Sequence, residues 1–255
     1  MRFKNAIVKK PSKTMVNGIT TSDLGKPKYK KALKQHEEYV NILKECGVKV
    51  EVLEADDKYP DSTFVEDPAV LTKECAIMTN PGANSRKGET KDIKKAVEKY
   101  YDNNIYEIES PGTLEGGDIM QVDDHFYIGI SDRTNKNGAR QLLAYLKNHG
   151  YTGDIVEFEG ILHLKTGMSY IGNNTLLITD LFADKDIFAD FNKIKVSKEE
   201  AYAANCIRIN DFVIVPAGFP ETKKAIEQAG FRTKTVDVSE FRKIDGGLSC
   251  LSLRF

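Results

Sequence analysis

Two loops of this chain hold a cysteine and a histidine in settings that suit chemistry. Cys250 follows Gly246-Gly247-Leu248-Ser249, a flexible approach that lets the backbone come close to a ligand. His163 stands between the apolar residues Leu162 and Leu164. A thiolate is a strong nucleophile and an imidazole carries protons near neutral pH. The pair therefore predicts covalent catalysis with Cys250 as the attacking residue.

Both residues also have a structural interpretation. A buried cysteine most often serves as a small apolar side chain, and a histidine between leucines can be a hydrogen-bonded core residue. Cys206 begins an apolar strand, so we assign it to the core, and Cys46 and Cys75 are interpreted in the same way. The remaining histidines are predicted to face solvent or to cap local structure: His36, His125 and His149.

Acidic residues cluster in two further loops. Glu115 and Asp118 flank two glycines, where one carboxylate can orient or charge-stabilise His163, or both can simply end a tight turn. Glu66 and Asp67 precede a proline, which favours extended backbone, and they suit either a cation-binding edge or a strand cap. Cysteine, histidine and surplus carboxylates together predict a covalent hydrolase of a cationic substrate.

Two other enzyme classes fit less well. A papain-type protease would carry C-G-S-C-W around its cysteine, which is absent here, and Cys250 lies at the opposite end of the chain from that motif's usual place. A metal site built from His163 and the carboxylates is an alternative, but the chain lacks a ligand spacing such as H-E-x-x-H. The residue pattern favours the covalent hydrolase.

Composition narrows the range of partners and locations. Over 255 residues the formal net charge is −1, which gives no general attraction to nucleic acid or to an anionic membrane. The first apolar run is too short for a signal peptide, and no stretch approaches the roughly 18 apolar residues of a membrane span. The four cysteines are scattered without C-x-x-C, so we expect no disulfide framework and a cytoplasmic location.

The elements around these loops repeat along the chain. Apolar residues at three- and four-residue spacing predict five helices: Lys28–Cys46, Lys91–Tyr101, Gly138–Asn148, Lys185–Asn192 and Thr222–Ala229. A short alternating strand follows each helix: Lys49–Leu53, Ile105–Ile108, Asp154–Phe158, Lys193–Val196 and Thr233–Val238. Polar turn pairs mark four β-hairpins: Ala69–Thr79, Asp118–Ile130, Ser169–Thr179 and Cys206–Val215.

A fifth hairpin is expected from the two ends of the chain, with Phe3–Val8 beside Leu251–Phe255. The repeat then predicts one α/β domain over residues 1–255, a fivefold pseudosymmetric propeller whose last unit is closed by pairing of the two termini. A Rossmann fold would carry G-x-G-x-x-G after its first strand, and the chain has none there. The loops before the hairpins should converge near the axis and bring Cys250, His163 and the acids together.

Several sequence blocks resemble the dimethylarginine dimethylaminohydrolase (dimethylargininase) family of the guanidine-modifying superfamily, which also holds arginine deiminases and amidinotransferases. The blocks are Asp61–Pro68, Pro81–Arg86, Glu115–Asp118, Ser131–Asn135, Leu162–Gly167 and Lys243–Cys250. Glu-Gly-Gly-Asp alone is shared with arginine deiminases, whereas the blocks together are specific and span essentially the whole chain. The resemblance implies the fivefold α/β propeller of the pentein type.

The resemblance also implies hydrolysis of Nω-methylated L-arginine to L-citrulline and dimethylamine or methylamine, without a metal or an organic cofactor. Cys250 would attack the guanidinium carbon and form an S-alkylthiouronium. His163 would protonate the leaving amine and then activate water, and Glu115 would position His163 and hold the guanidinium. The substrate-binding residues implied by the family pattern are Ile19, Asp61, Glu66, Asp67, Arg86 and Arg133.

Each of these residues has an implied partner on the substrate. Asp67 would bind the guanidinium with Glu66 beside it, and Asp61 would take the α-amino group. The two arginines would clamp the α-carboxylate, and a mobile lid over Val16–Ser22 would contribute a main-chain contact near Ile19.

Two rival functions and the oligomeric state stay open. An arginine deiminase would use the same residue types and release ammonia, but those enzymes usually carry a large helical insertion for which this chain has no room. A non-catalytic propeller would act as a binding module and would need none of the reactive residues. The sequence leaves a homodimer open, and the expected partner is a small guanidino molecule.

Overall fold

The structure, a computed structural model, describes residues 2–102 and 104–255. Its helices are α1 (Tyr29–Glu45), α2 (Thr90–Tyr101), α3 (Lys136–Asn148), α4 (Asp180–Ala183), α5 (Pro220–Gln228) and α6 (Ser239–Arg242). Its strands are β1 (Asn5–Lys9), β2 (Lys49–Leu53), β3 (Ala69–Leu71), β4 (Ala76–Met78), β5 (Ile105–Glu107), β6 (Ile119–Val122), β7 (His125–Ile130), β8 (Thr152–Glu157), β9 (Met168–Gly172), β10 (Thr175–Ile178), β11 (Asn192–Lys195), β12 (Ile207–Ile209), β13 (Phe212–Pro216), β14 (Arg232–Val236) and β15 (Leu253–Arg254).

The described residues form five three-stranded sheets of one design. Their strand orders are β15-β1-β2, β3-β4-β5, β6-β7-β8, β11-β10-β9 and β12-β13-β14. In each sheet the central strand pairs antiparallel with one neighbour and parallel with the other, which follows a helix or helical turn along the chain. The α/β class and the four predicted interior hairpins are confirmed.

Polar turns set the register of the hairpins. Asn173 and Asn174 both adopt φ near +50°, the left-handed conformation that a two-residue type I′ turn requires and that asparagine tolerates. Asp123 and Asn210 adopt the same conformation at the corresponding turns. The predicted turn positions are therefore correct at these three hairpins.

The two chain ends pair with each other in the first sheet. Ala6 lies opposite Arg254 and Ile7 opposite Leu253 in an antiparallel ladder, and the amide of Phe255 donates to the carbonyl of Asn5 at 3.0 Å. The predicted pairing of the termini is confirmed. It places the cysteine loop at 246–250 directly before the strand that completes this sheet.

Strand alternation lets one sheet contribute to two cores. Ala6 and Val8 of β1 pack in a cluster with Ile209 of β12, whereas Ile7 points to the other face and packs with Ala69 of β3. Further core clusters join β4 to β6, β6 to β9 and β9 to β13. Each sheet therefore shares apolar side chains with two others, and the first shares them with the last.

The helices cover these cores with amphipathic faces. In α1 the side chains of Ala32, Tyr39 and Leu43 are fully buried, at seven- and four-residue spacings that keep them on one face. Asn135 is the N-cap of α3, and its side chain accepts a hydrogen bond from the Gly138 amide at 2.8 Å. Among the described residues, no helix is both long and apolar enough to cross a membrane.

The prediction of a fourth helix over Lys185–Asn192 is wrong. That segment contains a single 3-10 turn, Asp186–Phe188, between α4 and β11. Phe182 and Phe188 are fully buried in one cluster, so the short connection turns aromatic side chains inward instead of presenting one helical face. Aspartates, which are poor helix formers, recur through the connection and favour turns.

The prediction that His36 faces solvent or acts as a cap is also wrong. The residue is 4% exposed on α1, and its Nε2 atom has no hydrogen-bond partner among the described residues. Burial, helped by the charge of Lys10, lowers the pKa of His36 to about 4. The imidazole is thus a neutral core side chain, in line with its position on the buried face of an amphipathic helix.

Candidate active site

Cys250 lies in a short 3-10 turn, Ser249–Leu251, immediately before β15. The amide of Gly247 points at its sulfur at 3.4 Å. The side chain of Asn205 accepts from the Ser249 amide at 2.9 Å and donates to the Ser249 hydroxyl at 3.0 Å. A Cβ on Gly247 would come within 2.5 Å of the Asn205 side chain, so the glycine is needed for this close packing. The loop is therefore fixed by hydrogen bonds on both sides of the thiol.

The thiol of Cys250 is protonated in this environment. Burial is the main reason, and the negative charges of Asp67 and Glu66 act in the same direction, so the pKa of Cys250 is raised to about 12. The Gly247 amide and the charge of Lys165 oppose this shift but do not overcome it. A nucleophilic thiolate therefore has to be created by something that adds positive charge to the pocket.

Two carboxylates, those of Glu115 and Asp118, hold His163 in place. Its Nε2 atom lies 2.9 Å from Glu115 Oε2. Asp118 accepts from the Leu164 amide at 3.0 Å and thereby anchors the backbone next to the histidine. A Cβ on Gly117 would meet His163 Nδ1 at 2.6 Å, so only glycine lets the imidazole lie against this turn. In the motif Glu115–Asp118, the first acid thus binds the imidazole, the second fixes the backbone beside it, and the glycines leave room for the ring.

The charges of this pair support each other. Burial disfavours the imidazolium, but Asp118, Glu115 and Asp67 outweigh it and raise the pKa of His163 to about 9. Burial likewise disfavours the carboxylate of Glu115, yet its hydrogen bond and charge contact with His163 lower its pKa. Near neutral pH the histidine is an imidazolium that carries a transferable proton.

Asp67 faces the same pocket but is partly occupied by an arginine. Its Oδ1 accepts from the Gly117 amide at 2.9 Å, and its Oδ2 accepts from Arg86 Nη1 at 2.5 Å. The other guanidinium nitrogens of Arg86 donate to Glu89, with the shortest contact at 2.8 Å. Burial raises the pKa of Glu89 to about 7 despite this pairing. In the free protein, an internal guanidinium therefore already lies on Asp67.

The segment after Gly18 closes over the pocket. The amide of Ile19 donates to the carboxylate of Asp61 at 3.1 Å. The amide and hydroxyl of Thr21 donate to Asp245 Oδ2 at 2.6 and 3.0 Å, and the Thr20 hydroxyl donates to the carbonyl of Lys243 at 3.0 Å. The predicted lid thus rests on the loop that leads to Cys250, and its contacts are few and polar.

The structure brings almost all of the predicted site residues into one small cavity of about 50 Å³. The predicted residues that line it are Ile19, Asp61, Asp67, Arg86, Glu115, Arg133, His163 and Cys250. Arg133 is the more accessible of the two arginines, with its side chain 18% exposed and 3.6 Å from Glu115. Glu66 is the exception, because its carboxylate binds Lys165 and Arg254 and the residue lines a different cavity.

That second cavity is much larger, about 600 Å³, and lies behind the cysteine loop. Lys165, Ser249 and Arg254 line it together with Glu66, while Cys250 and Asp67, which follow Ser249 and Glu66, line the small pocket. Cys206 also lines it and is buried, 3.0 Å from the Ser169 hydroxyl. The interpretation of Cys206 as a core residue agrees with this burial.

One group of side chains within residues 2–102 and 104–255 has the geometry to hold a metal ion. The candidate ligand atoms of Asp67, Glu115 and His163 lie within 4.8 Å of one another, and all three residues are buried. Two carboxylates facing inward equally suit an organic cation such as a guanidinium. The hydrogen bond that Arg86 makes to Asp67 is an example of that pairing within the chain.

Three residues of the site were missed in the sequence. Asp245 receives the lid, Glu89 pairs with Arg86, and Asn205 fixes the cysteine loop. Asp245 and Asn205 stand in loops that the repeat places near the axis, and Glu89 follows Arg86 at the i+3 spacing of a helical ion pair. Those signals existed, but none of them separates a functional residue from a surface charge.

The sequence matches known proteins along its full length. Residues 14–251 match the family model described as N,N dimethylarginine dimethylhydrolase, eukaryotic. An N(G),N(G)-dimethylarginine dimethylaminohydrolase of Pseudomonas aeruginosa is 52% identical over 253 residues, which cover 99% of this chain and 100% of that protein. A protein of the same name from Streptomyces coelicolor is 31% identical, with 100% of this chain and 98% of that protein covered.

Solved structures are similar in the same way. The Pseudomonas aeruginosa enzyme, as a cysteine-to-serine variant complexed with citrulline, gives a TM-score of 0.99 at 51% identity, with both chains fully covered. A histidine-to-glycine variant of a dimethylarginine dimethylaminohydrolase, as an adduct with S-methyl-L-thiocitrulline, gives 0.98 at 52% identity, covering 99% of this chain and 100% of that one. The N-terminal domain of the cyanobacterial arginine dihydrolase ArgZ gives 0.88 at 19% identity, with 100% and 97% covered, and shares the fold.

Proposed function

The chain belongs to the dimethylarginine dimethylaminohydrolase family, and we propose that it hydrolyses Nω-methylated L-arginine to L-citrulline and dimethylamine or methylamine. It is a hydrolase of a C–N bond by this membership. The observation that carries the proposal is the meeting of Cys250, the His163–Glu115 pair and Asp67 in one buried pocket. A nucleophile, a proton donor and a cation-binding carboxylate are the three parts this reaction needs.

Substrate binding starts with the charges already in the pocket. The substrate guanidinium takes its place against Asp67 and Glu115, and its positive charge lowers the cost of ionising the Cys250 thiol. Asp61 binds the α-amino group, and Arg86 and Arg133 bind the α-carboxylate. The pocket of about 50 Å³ is too small for a molecule of this size, so the lid around Ile19 has to open for entry.

The chemical step is an addition followed by loss of the amine. The thiolate of Cys250 forms a C–S bond with the guanidinium carbon, and the His163 imidazolium gives its proton to the methylated nitrogen. The C–N bond then breaks and the neutral amine leaves, which leaves an S-alkylthiouronium on Cys250. Glu115 keeps His163 oriented at 2.9 Å throughout and stabilises its charge.

Hydrolysis of the intermediate reverses the role of the histidine. His163, now neutral, takes a proton from water while the oxygen bonds to the thiouronium carbon. The C–S bond breaks, the second hydrogen leaves the oxygen as the C=O bond forms, and citrulline is released with Cys250 as a thiolate again. The proton lost when the Cys250 thiol ionises passes to solvent, His163 gives its proton to the leaving amine and regains one from the attacking water, and the last hydroxyl proton passes to solvent.

The experiment that tests the function measures both products. The purified protein is incubated separately with asymmetric dimethylarginine, monomethylarginine and arginine, and citrulline and the released amine are quantified. We expect citrulline and an equal amount of dimethylamine or methylamine from the methylated substrates. Turnover of arginine alone, with release of ammonia, would instead support a deiminase. Absence of turnover with all three would support a binding module.

Three broader properties belong to the same proposal. The five sheets, with shared cores that link the first to the last, support a closed fivefold propeller that acts as one catalytic domain over residues 1–255. All four cysteines are free, which supports a cytoplasmic location. The partner is a small guanidino molecule, with no nucleic acid or membrane involved, and a homodimer is the oligomeric state to test by light scattering.

A further inference from the structure

A buried group of three charges lies behind the cysteine loop, on the side away from the catalytic pocket. Lys165 Nζ lies 2.6 Å from Glu66 Oε1, and Arg254 Nη2 donates to the same oxygen at 2.8 Å. The three side chains are only 13%, 5% and 15% exposed in the order Lys165, Glu66, Arg254. We call these three residues the rear charge network.

The network is joined directly to the loop that carries the nucleophile. Arg254 Nη1 donates to the carbonyl of Ser249 at 3.0 Å, and the amide of Glu66 donates to the carbonyl of Cys250 at 3.2 Å. Asn205 links the third member, because its side chain donates both to the carbonyl of Lys165 and to the Ser249 hydroxyl at 3.0 Å. Arg254 and Glu66 are therefore hydrogen-bonded directly to the cysteine loop, and Lys165 is connected to that loop through Asn205.

Neighbouring residues divide between the two sides of this layer. Asp67 and Cys250 line the catalytic pocket, whereas the residues before them, Glu66 and Ser249, line the cavity of about 600 Å³ behind. Glu66 and Asp67 lie in a turn and Ser249 and Cys250 in a 3-10 turn, and in both the adjacent side chains face different cavities. The charges of the network are therefore separated from the thiol by the thickness of a single chain segment.

The charge balance of the network is positive. Two cations share one carboxylate, and Glu66 Oε2 has no hydrogen-bond partner among the described residues. Lys165 opposes the effect of Glu66 on the thiol, and Asp67 adds to that effect from the pocket side. The charged and titratable groups that act on Cys250 include Asp67, Glu66, Lys165, Arg254, Tyr39 and Tyr202. From the pocket side the thiol is also faced by Asp61, Arg86, Glu115, Arg133 and His163.

We propose that Lys165 is a positioning residue for the nucleophile, which acts through Glu66 and from behind the loop to favour the charged form of Cys250. Without Lys165 the network loses its net positive charge, and Glu66 opposes the thiolate with only Arg254 against it. The inference rests on the proposed function, since it concerns the same thiol. It adds a source of positive charge that is present before any substrate binds.

The direct readout is the reactivity of the free thiol towards iodoacetamide, a small uncharged reagent that reaches Cys250 through the catalytic pocket and needs no substrate. Alkylation of Cys250 is followed by mass spectrometry between pH 6 and 8, with Cys250→Ser as the blank. We expect Lys165→Met to react about tenfold more slowly at each pH, because a one-unit rise in the thiol pKa removes nine-tenths of the thiolate. Lys165→Arg retains the charge and should react within about threefold of the parent protein.

A variant of opposite sign separates electrostatics from damage to the fold. Glu66→Gln removes the negative charge and should make alkylation several-fold faster, whereas mere loosening of the loop would change both variants in one direction. Arg208→Met is the matched control, because Arg208 lines the same cavity and bonds to the carbonyls of Ile171 and Asn210 instead of Glu66. It should react like the parent protein.

Three outcomes would overturn the proposal. They are parent-like alkylation of a folded Lys165→Met, loss of rate in Lys165→Arg equal to that in Lys165→Met, and slower or unchanged alkylation of Glu66→Gln. If Lys165→Met does not fold, as judged by its melting temperature, the sign of the Glu66→Gln effect decides alone. The alkylation does not depend on turnover, so failure of the citrulline assay would leave this result readable and distinct.

Discussion

Two cavities lie on opposite sides of the cysteine loop, and each contains a buried thiol. Cys250 lines the small pocket and Cys206 the large one, and burial raises the pKa of each to about 12. The two thiols differ in their neighbouring side chains. Cys250 shares its pocket with His163, Glu115 and Asp67, whereas Cys206 lies against the Ser169 hydroxyl. Neither cavity size nor thiol pKa identifies the nucleophile here. The convergence of complementary charged groups does.

The small pocket is small because the protein fills it with its own polar groups. Arg86 lies on Asp67, and the amide of Ile19 lies on Asp61. A substrate with a guanidinium at one end and an amino acid at the other can replace both contacts with equivalent ones. The charged groups that bind the substrate are thus already in place, although the pocket is too small to admit it until the lid opens. The large cavity differs in its charged groups, since Lys165 and Arg254 bind the carboxylate of Glu66 and Arg208 binds backbone carbonyls.

The largest expected effect comes from replacing the thiol of Cys250 by a hydroxyl and comparing the result with the same replacement at Cys206. Cys250→Ser should lower kcat by on the order of 10⁴-fold or more, because a serine hydroxyl is not ionised by the charges of this pocket. Citrulline release from dimethylarginine is the measurement. Cys206→Ser is the matched control and should retain activity within about threefold. Equal loss in both variants would break the distinction between the two cavities.

The next effect concerns the partner of the histidine. Glu115→Gln keeps the size of the side chain but removes the charge that stabilises the His163 imidazolium, and we expect kcat to fall about 10²–10³-fold. Separate values of kcat and KM, together with the pH profile of kcat, are required. On the alkaline side of the profile, kcat should fall at a lower pH than in the parent protein. The reason is that the raised pKa of His163 decreases without the carboxylate of Glu115, so the imidazolium loses its proton earlier. Glu109→Gln, on an exposed residue, is the control and should change neither value.

The pH dependence of the free thiol gives an effect of about tenfold per unit. Below its raised pKa, Cys250 is almost wholly protonated, and each unit of added pH increases the thiolate fraction tenfold. Alkylation by iodoacetamide should therefore rise continuously from pH 6 to pH 8. A plateau within that range would mean that the thiol is already ionised in the free protein. The proposed role of the substrate charge in creating the nucleophile would then be wrong.

The smallest expected effect lies in the large cavity. Gln121 lines it, and its side chain donates to the nearby carbonyl of Asp123 at 2.7 Å. Gln121→Ala should leave kcat and KM within about twofold and change the melting temperature by a few degrees at most. A tenfold loss of activity would indicate that this face takes part in the reaction directly.

Much of the fold was readable because its signals are local. Alternation fixed the strands, polar pairs marked the turns, and the spacing of apolar residues located α1, α2, α3 and α5 within one or two residues. The prediction of a helix over Lys185–Asn192 was wrong because Phe188 and Phe191, at a helical spacing of three residues, also fit a chain that wraps a core. His36 was misread because its charged neighbours conceal that it lies on the buried face of α1.

The site was readable to a different extent. The positions of Cys250, His163 and Glu115 followed from the repeat, since equivalent loops of equivalent units must meet. The pairing of Glu66 with Lys165 and Arg254 did not, because Glu66 lies in a turn, where the direction of a side chain depends on tertiary packing that the sequence does not specify. Likewise, the contact between Arg86 and Asp67 depends on burial, which two charged residues conceal in a sequence.

The pairing of Ala6 with Arg254 has a consequence for synthesis of the chain. One edge of β1 is complete as soon as β2 has emerged, but the other stays unpaired while some 240 further residues are made, a wait of roughly 10–50 s at ordinary translation rates. The sheet beside the nucleophile is therefore the last to be completed. Until then an exposed strand edge invites pairing with other chains. Stalled translation should accordingly favour aggregation of this enzyme, because it lengthens the time for which this edge of β1 is unpaired.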